Sequence, residues 1–152
     1  MFKNNFIVKI FLILIASFVA VSCQSNPEPI AYGEDSCDNC RMTISDPKYG
    51  AELISDKGKI FKFDSIECLA AYSMIIDQKT IASMWATDFS NKENFINTDD
   101  ALFLRSENLR SPMGLNLSAY QNLNSLYKVK NEFGGTNLRW EEILNYVKSE
   151  WK

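Results

Sequence analysis

Cys37-Asp38-Asn39-Cys40-Arg41-Met42 puts two thiols and a thioether within six residues, and a third thiol, Cys68, follows on what reads as a helix. Thiolate and thioether are soft donors, and together they favour Cu(I) over harder ions. Cys40 and Met42 are two apart, so extended backbone would send both side chains to one side of the chain. Another thioether, Met113, stands in Ser111-Pro112-Met113-Gly114. Side chains in such a turn usually face outward, so a contact or ligand role suits Met113 better than filling a core gap. Met74 and Met84 fall on apolar positions of a helix and a strand and read as core. Cys68 lies beside the core face of its helix, which ranks it below Cys40 as a ligand. The CxxC spacing admits other chemistry. A c-type haem needs His next, and Arg41 is there. A structural zinc site needs four ligands, and one further thiol is on offer. A thioredoxin-like pair opens a helix after a strand, whereas Thr43-Ile44-Ser45-Asp46-Pro47 is a poor helix start. A membrane-anchored thiol–disulfide oxidoreductase using Cys37 and Cys40 remains the alternative to a metal carrier.

The chain has 152 residues and no histidine. That removes Ser-His-Asp and Cys-His catalysis, histidine base chemistry and His-ligated zinc or haem together. The expectation is a binding protein without turnover rather than an enzyme. Sixteen basic residues against 19 acidic ones give a net charge of -3, so no basic excess exists to neutralise phosphates, and nucleic acid is not an expected partner. Hydrophobic residues at 46% and charged residues at 23% describe a globular chain.

Residues 1–22 read as a lipoprotein signal peptide. Lys3 and Lys9 precede the apolar run Ile10 to Val21, which is short for a membrane span of about 20 residues. The run ends in Ala20-Val21-Ser22-Cys23, so Cys23 is the expected lipidation site. The protein is then expected in the cell envelope, lipid-anchored to a membrane and facing the periplasm. With Cys23 modified, three thiols remain, a number disulfides within one chain cannot satisfy. A free thiol outside the cytoplasm is open to oxidation unless something such as a bound metal protects it. Residues 23–30, with Pro27 and Pro29 among polar neighbours, read as a tether.

The domain is expected over 31–152. Strands are predicted at 51–55 and 60–63, with Leu53 facing Phe61 across a hairpin. A helix follows over about 65–77, capped by Asp64 or Ser65, with Glu67 placed for a capping box. A third strand is expected over 81–89. The order then recurs: a strand at 100–106, a long turn, a strand at 115–120, a helix at 122–133 stopped by Gly134-Gly135, a strand at 136–140 and a terminal helix at 141–151. Leu53-Ile54-Ser55-Asp56 echoes Leu104-Arg105-Ser106-Glu107 at a spacing of 51, and Tyr72 matches Tyr127 at 55. The expected fold is α+β: two small β-β-α-β modules, about 37–90 and 98–152, packed together with a C-terminal helix.

Taken in order, Cys23, Cys37-x-x-Cys40-x-Met42, Asp46-Pro47-Lys48-Tyr49-Gly50-Ala51, Phe63-Asp64 with Cys68-Leu69, Ser111-Pro112-Met113-Gly114, and Phe133-Gly134-Gly135 ahead of Trp140 resemble the NosL family, lipid-anchored copper-binding accessory proteins of nitrous-oxide reductase maturation. The resemblance spans about residues 23–147. It implies two β-β-α-β modules, Cu(I) binding, and delivery of copper to the maturation machinery or to the reductase itself. Cys40, Met42 and Met113 match the family's soft-ligand positions. This sequence lacks the His that denitrifier members carry near the site, and it adds Cys37, which many single-Cys members lack.

Overall fold

The computed structural model describes residues 26–151; the expected signal peptide and lipidation site, Cys23, lie outside them. The elements are β1 (Ala51–Ser55), β2 (Ile60–Phe63), α1 (Ile66–Ile75), β3 (Ile81–Asp88), β4 (Asn91–Asn97), β5 (Leu102–Arg105), β6 (Leu117–Tyr120), α2 (Leu123–Phe133), β7 (Thr136–Leu138) and α3 (Trp140–Glu150). The strands form one mixed sheet in the order β2-β1-β3-β6-β5-β7, with β4 paired to β3. The order β-β-α-β occurs twice, as β1-β2-α1-β3 and β5-β6-α2-β7. In each, the first strand lies antiparallel between the other two.

Local chemistry explains most of the boundaries. Gly58 takes φ 76, a left-handed value suited to glycine, and closes the β1–β2 turn by donating to Ser55 O at 2.9 Å. The expected Leu53–Phe61 pairing is present. Ser65 caps α1, its side chain accepting from the Cys68 N–H. Because Ser65 rather than Asp64 is the cap, Glu67 falls one position short of a capping box and turns inward, correcting that expectation. α1 stops at Ile75, two residues short of the expected end. Asn122 caps α2, and Gly134 ends it at φ 70.

β4 was not foreseen. Its sequence, Asn-Lys-Glu-Asn-Phe-Ile-Asn, is poor in strand formers. Pairing with β3, which sets Ile96 against Ala86 and Phe95 against Thr87, makes it a strand.

The two halves meet in a parallel rung, Asp88 with Ala119, worth about 1 kcal/mol as a hydrogen bond. The apolar core joins them far more strongly. Ile66 and Ala70 of α1 and Ala86 of β3 pack with Phe103, Leu117, Ala119, Ile143 and Val147 of the second half. Each large side chain fully buried there contributes about 1.5–3 kcal/mol. Met74 packs against this cluster and Met84 against its neighbour, as expected.

The body begins earlier than the expected tether allows. Glu28 N–H donates to Glu52 Oε2 at 3.0 Å, and Lys62 Nζ reaches Pro29 O at 3.2 Å. Residues 28–30 therefore lie on the sheet as a strap across β1 and β2.

Candidate metal centre

Cys37 and Cys40 sit on a loop pinched at its base by a bridge between Ser36 and Thr43. Inside it the Cys37 N–H donates to Met42 O at 2.8 Å, and the Arg41 N–H to Cys37 O at 2.9 Å. Arg41 takes φ 67, uncommon for a residue with a Cβ. The backbone between Cys40 and Met42 is thus turned rather than extended, so the expected common side for their side chains is not formed. Met42, next to the bridge at the loop's base, is 52% exposed, while Cys37 is fully buried.

Asp38 fastens this loop to the sheet. Its N–H donates to Lys62 O at 2.8 Å, and its Oδ2 accepts from the Lys62 N–H at 2.9 Å. That docking carries the loop along β2 to the start of α1, where Asp64 and Cys68 stand. The sulfurs of Cys37, Cys40 and Cys68 and one oxygen of Asp64 all lie within 4.8 Å of one another. Ligands around a four-coordinate ion with metal–sulfur bonds of about 2.3 Å stand about 3.8 Å apart, so only slight contraction would be needed. Three sulfurs and one oxygen form a donor set suited to a soft ion. Asp64 Oδ1 is buried and has no hydrogen-bond partner among the described residues. All three thiols are free.

The thiols differ in acidity for visible reasons. The Cys37 thiol is pulled down to about 6, chiefly by a hydrogen bond from Cys68 and then, against the effect of burial, by the N–H groups of Cys40, Asp64 and Asn39. Cys40 is pushed up to about 11, first by burial and then by nearby Cys37 and Asp64; its thiol lies 3.5 Å from Asp64 Oδ2, which accepts from it. Cys68 is raised by its hydrogen bond to Cys37 and by burial. Asn39 Nδ2 donates to Cys68 Sγ at 3.4 Å. Of the three thiols, Cys37 is thus the one whose surroundings favour the charged form, while those of Cys40 and Cys68 oppose it.

Cys68 therefore stands in the cluster on equal terms with Cys40, and geometry gives no ground for ranking it lower. Of the two expected caps, Asp64 and Ser65, it is Ser65 that caps the helix, which leaves the Asp64 carboxylate free for the site. No spacing rule singles out Asp64: Cys68 is four residues downstream, but Cys37 and Cys40 lie 27 and 24 residues upstream. Met113 does lie in a turn, closed by the Gly114 N–H donating to Ser111 O at 3.1 Å. Its side chain is turned inward, however, packing against the buried cluster that contains Cys37 and Cys68.

A mixed sheet backed by helices, with three thiols and a carboxylate gathered at the start of one helix, defines an α+β domain with a thiol-rich candidate metal site. The chain belongs to the NosL family, which residues 30–147 match. The fold is also similar to the crystal structure of the copper chaperone NosL from Shewanella denitrificans, with a TM-score of 0.66 and 19% identity over 76% of this chain and 94% of that one. No curated protein matches. No described helix is long and apolar enough to cross a membrane.

Proposed function

We propose that this protein is an extracytoplasmic Cu(I) carrier. A lipid on Cys23 holds it on a membrane of the cell envelope, facing the periplasm. It passes copper to the machinery that builds the copper centres of nitrous-oxide reductase, or to the reductase itself. The observation that carries the reading is the cluster of three thiols and a carboxylate in a chain without histidine. Polarizable sulfur donors favour Cu(I). Met113 from the second half packs against the buried cluster that holds Cys37 and Cys68 and offers a thioether there, while the exposed Met42 is a thioether open to a receiving protein. The partly open Cys40 leaves an approach for a receiving protein. Membership in the NosL family supports the client, and the basic, apolar, small-residue order ending at Cys23 supports the anchor. Copper is cargo here, so tight but exchangeable binding is the task, without turnover.

The thiol–disulfide alternative fares worse. A redox enzyme needs its activated thiol exposed. Cys37 is the acidic thiol and is fully buried, while the more open Cys40 is pushed up.

Anaerobic titration of the detergent-extracted protein against a Cu(I) chelator tests the reading. One Cu(I) per chain is expected, with affinity lost in Cys37→Ser, Cys68→Ser and Cys40→Ser, and X-ray absorption showing sulfur neighbours. Failure to compete with the chelator would refute it. Mass spectrometry of the same preparation should find a lipid on Cys23; an unmodified N-terminus would remove the anchor.

A further inference from the structure

We propose that Glu67 is a positioning residue that fixes the Met113 turn of the second half over the thiols of the first. Glu67 sits beside Cys68 on the first turn of α1 and is 0% exposed. Burying a carboxylate so completely is unfavourable unless hydrogen bonds replace water. Its Oε1 accepts from Ser111 Oγ and from the Leu117 N–H at 3.3 Å. Ser111 Oγ in turn accepts from the Asn116 N–H at 2.9 Å, and Ser111 O holds Gly114 in the turn. One carboxylate on α1 thus organises the whole Ser111–Leu117 segment, including the left-handed Gly114 and Asn116, at φ 80 and φ 65.

Apolar packing already presses α1 against the second half, through Ile66 and Ala70. What the carboxylate adds is register. Apolar contacts tolerate sliding, whereas hydrogen bonds fix distance and direction, the best-attested use of buried polar groups. The part so fixed is the turn whose Met113 packs against the cluster holding Cys37 and Cys68. The thioether is then held at the edge of the site by a contact made through Glu67, not by its own strand. The required property is an acceptor oxygen at Oε1, not a charge.

The proposal rests on the copper reading above, and its test separates the two. Cu(I) affinity is measured by chelator competition for the parent, Ser111→Ala, Met113→Ile and the double variant, all extracted in detergent as full mature chains. Ser111→Ala should weaken Cu(I) about tenfold in the parent but less than about twofold when Met113 is already Ile, because both changes withdraw the same donor. X-ray absorption of Ser111→Ala should lose the same sulfur neighbour as Met113→Ile. Glu67→Gln, which keeps the acceptor oxygen, should retain the parent's affinity, whereas Glu67→Ala should behave as Ser111→Ala; if Glu67→Ala does not fold, the Ser111 cycle alone decides. Equal losses from Ser111→Ala in both backgrounds, or an unchanged sulfur count, would overturn the positioning role while leaving the copper reading intact. A parent that binds no Cu(I) would overturn both.

Discussion

Asp64 is placed between two demands. One carboxylate oxygen accepts from the Cys40 thiol, and the other is buried without a partner among the described residues. A residue so placed supports the ligand beside it even if it never touches the ion, and groups of that kind carry 10- to 100-fold in metal affinity. Asp64→Asn keeps the size, removes the charge and weakens the acceptor. Cu(I) affinity is therefore expected to fall by about 10- to 100-fold, with far-UV circular dichroism unchanged. Affinity equal to the parent's would show that the three sulfurs suffice. The thiols themselves were plain in the sequence, because Cys is chemically distinctive and the CxxC spacing is local. Asp64 was not, since an acidic residue before a helix is explained well enough by capping. Only the docking of Asp38 onto β2 brings the loop to it.

Among the elements, the strap of residues 28–30 on β1 and β2 has a chemical signature. Burial pushes the Glu52 carboxyl from 4.5 up to about 7, with the Glu28 N–H and Lys62 opposing the rise. In the native state Glu52 then keeps a proton that the unfolded chain has already lost between those two values. Stability from this group is fully present below about 4.5, declines as pH rises to about 7 and is level above. Glu52→Gln removes the titration, so its urea unfolding free energy should decline less than the parent's between about pH 5 and about pH 8. Parallel pH curves for the two proteins would show that Glu52 is not held protonated. Hairpin β1–β2 and helices α1 and α2 were legible because turn glycine, cap residues and periodicity agree there. β4 was hidden because its residues contradict strand propensity and only the neighbour strand decides it. Glu67 was hidden because its partners lie 44 and 50 residues away. The echo at 51 residues falls on equivalent positions of β1 and β5. Tyr72 and Tyr127, by contrast, stand at different distances from their caps, Ser65 and Asn122, and are not equivalent.

At the scale of the whole molecule, the repeated order does not make two independent units. Ile66, Ala70 and Ala86 from one half share a core with Phe103, Leu117, Ile143 and Val147 from the other. Truncating either half would open that core to water. Urea unfolding followed by far-UV circular dichroism and by tryptophan fluorescence, which reports Trp85 in one half and Trp140 and Trp151 in the other, is expected to give superimposable transitions. Two separated transitions would show that each half stands alone. The chemistry is not repeated with the fold. Aligning the caps Ser65 and Asn122 puts Gln121 and Ser125 where Asp64 and Cys68 stand, so one half supplies the thiols and the other only a thioether. The strand path ends in β2 and β7, with β4 beside it paired on one side to β3, and an end strand with free N–H and C=O groups invites another chain. β7 has only three residues. β2 is guarded by Asp38, whose backbone and carboxylate occupy the outward-facing N–H and C=O of Lys62. The thiol loop is therefore also a barrier to polymerisation. Asp38→Ala would free the Lys62 N–H, and light scattering of the concentrated protein should reveal self-association that the parent lacks. A sample whose loop is displaced by oxidation of its thiols would aggregate for the same reason, so spoiling the metal site and losing solubility would be a single event.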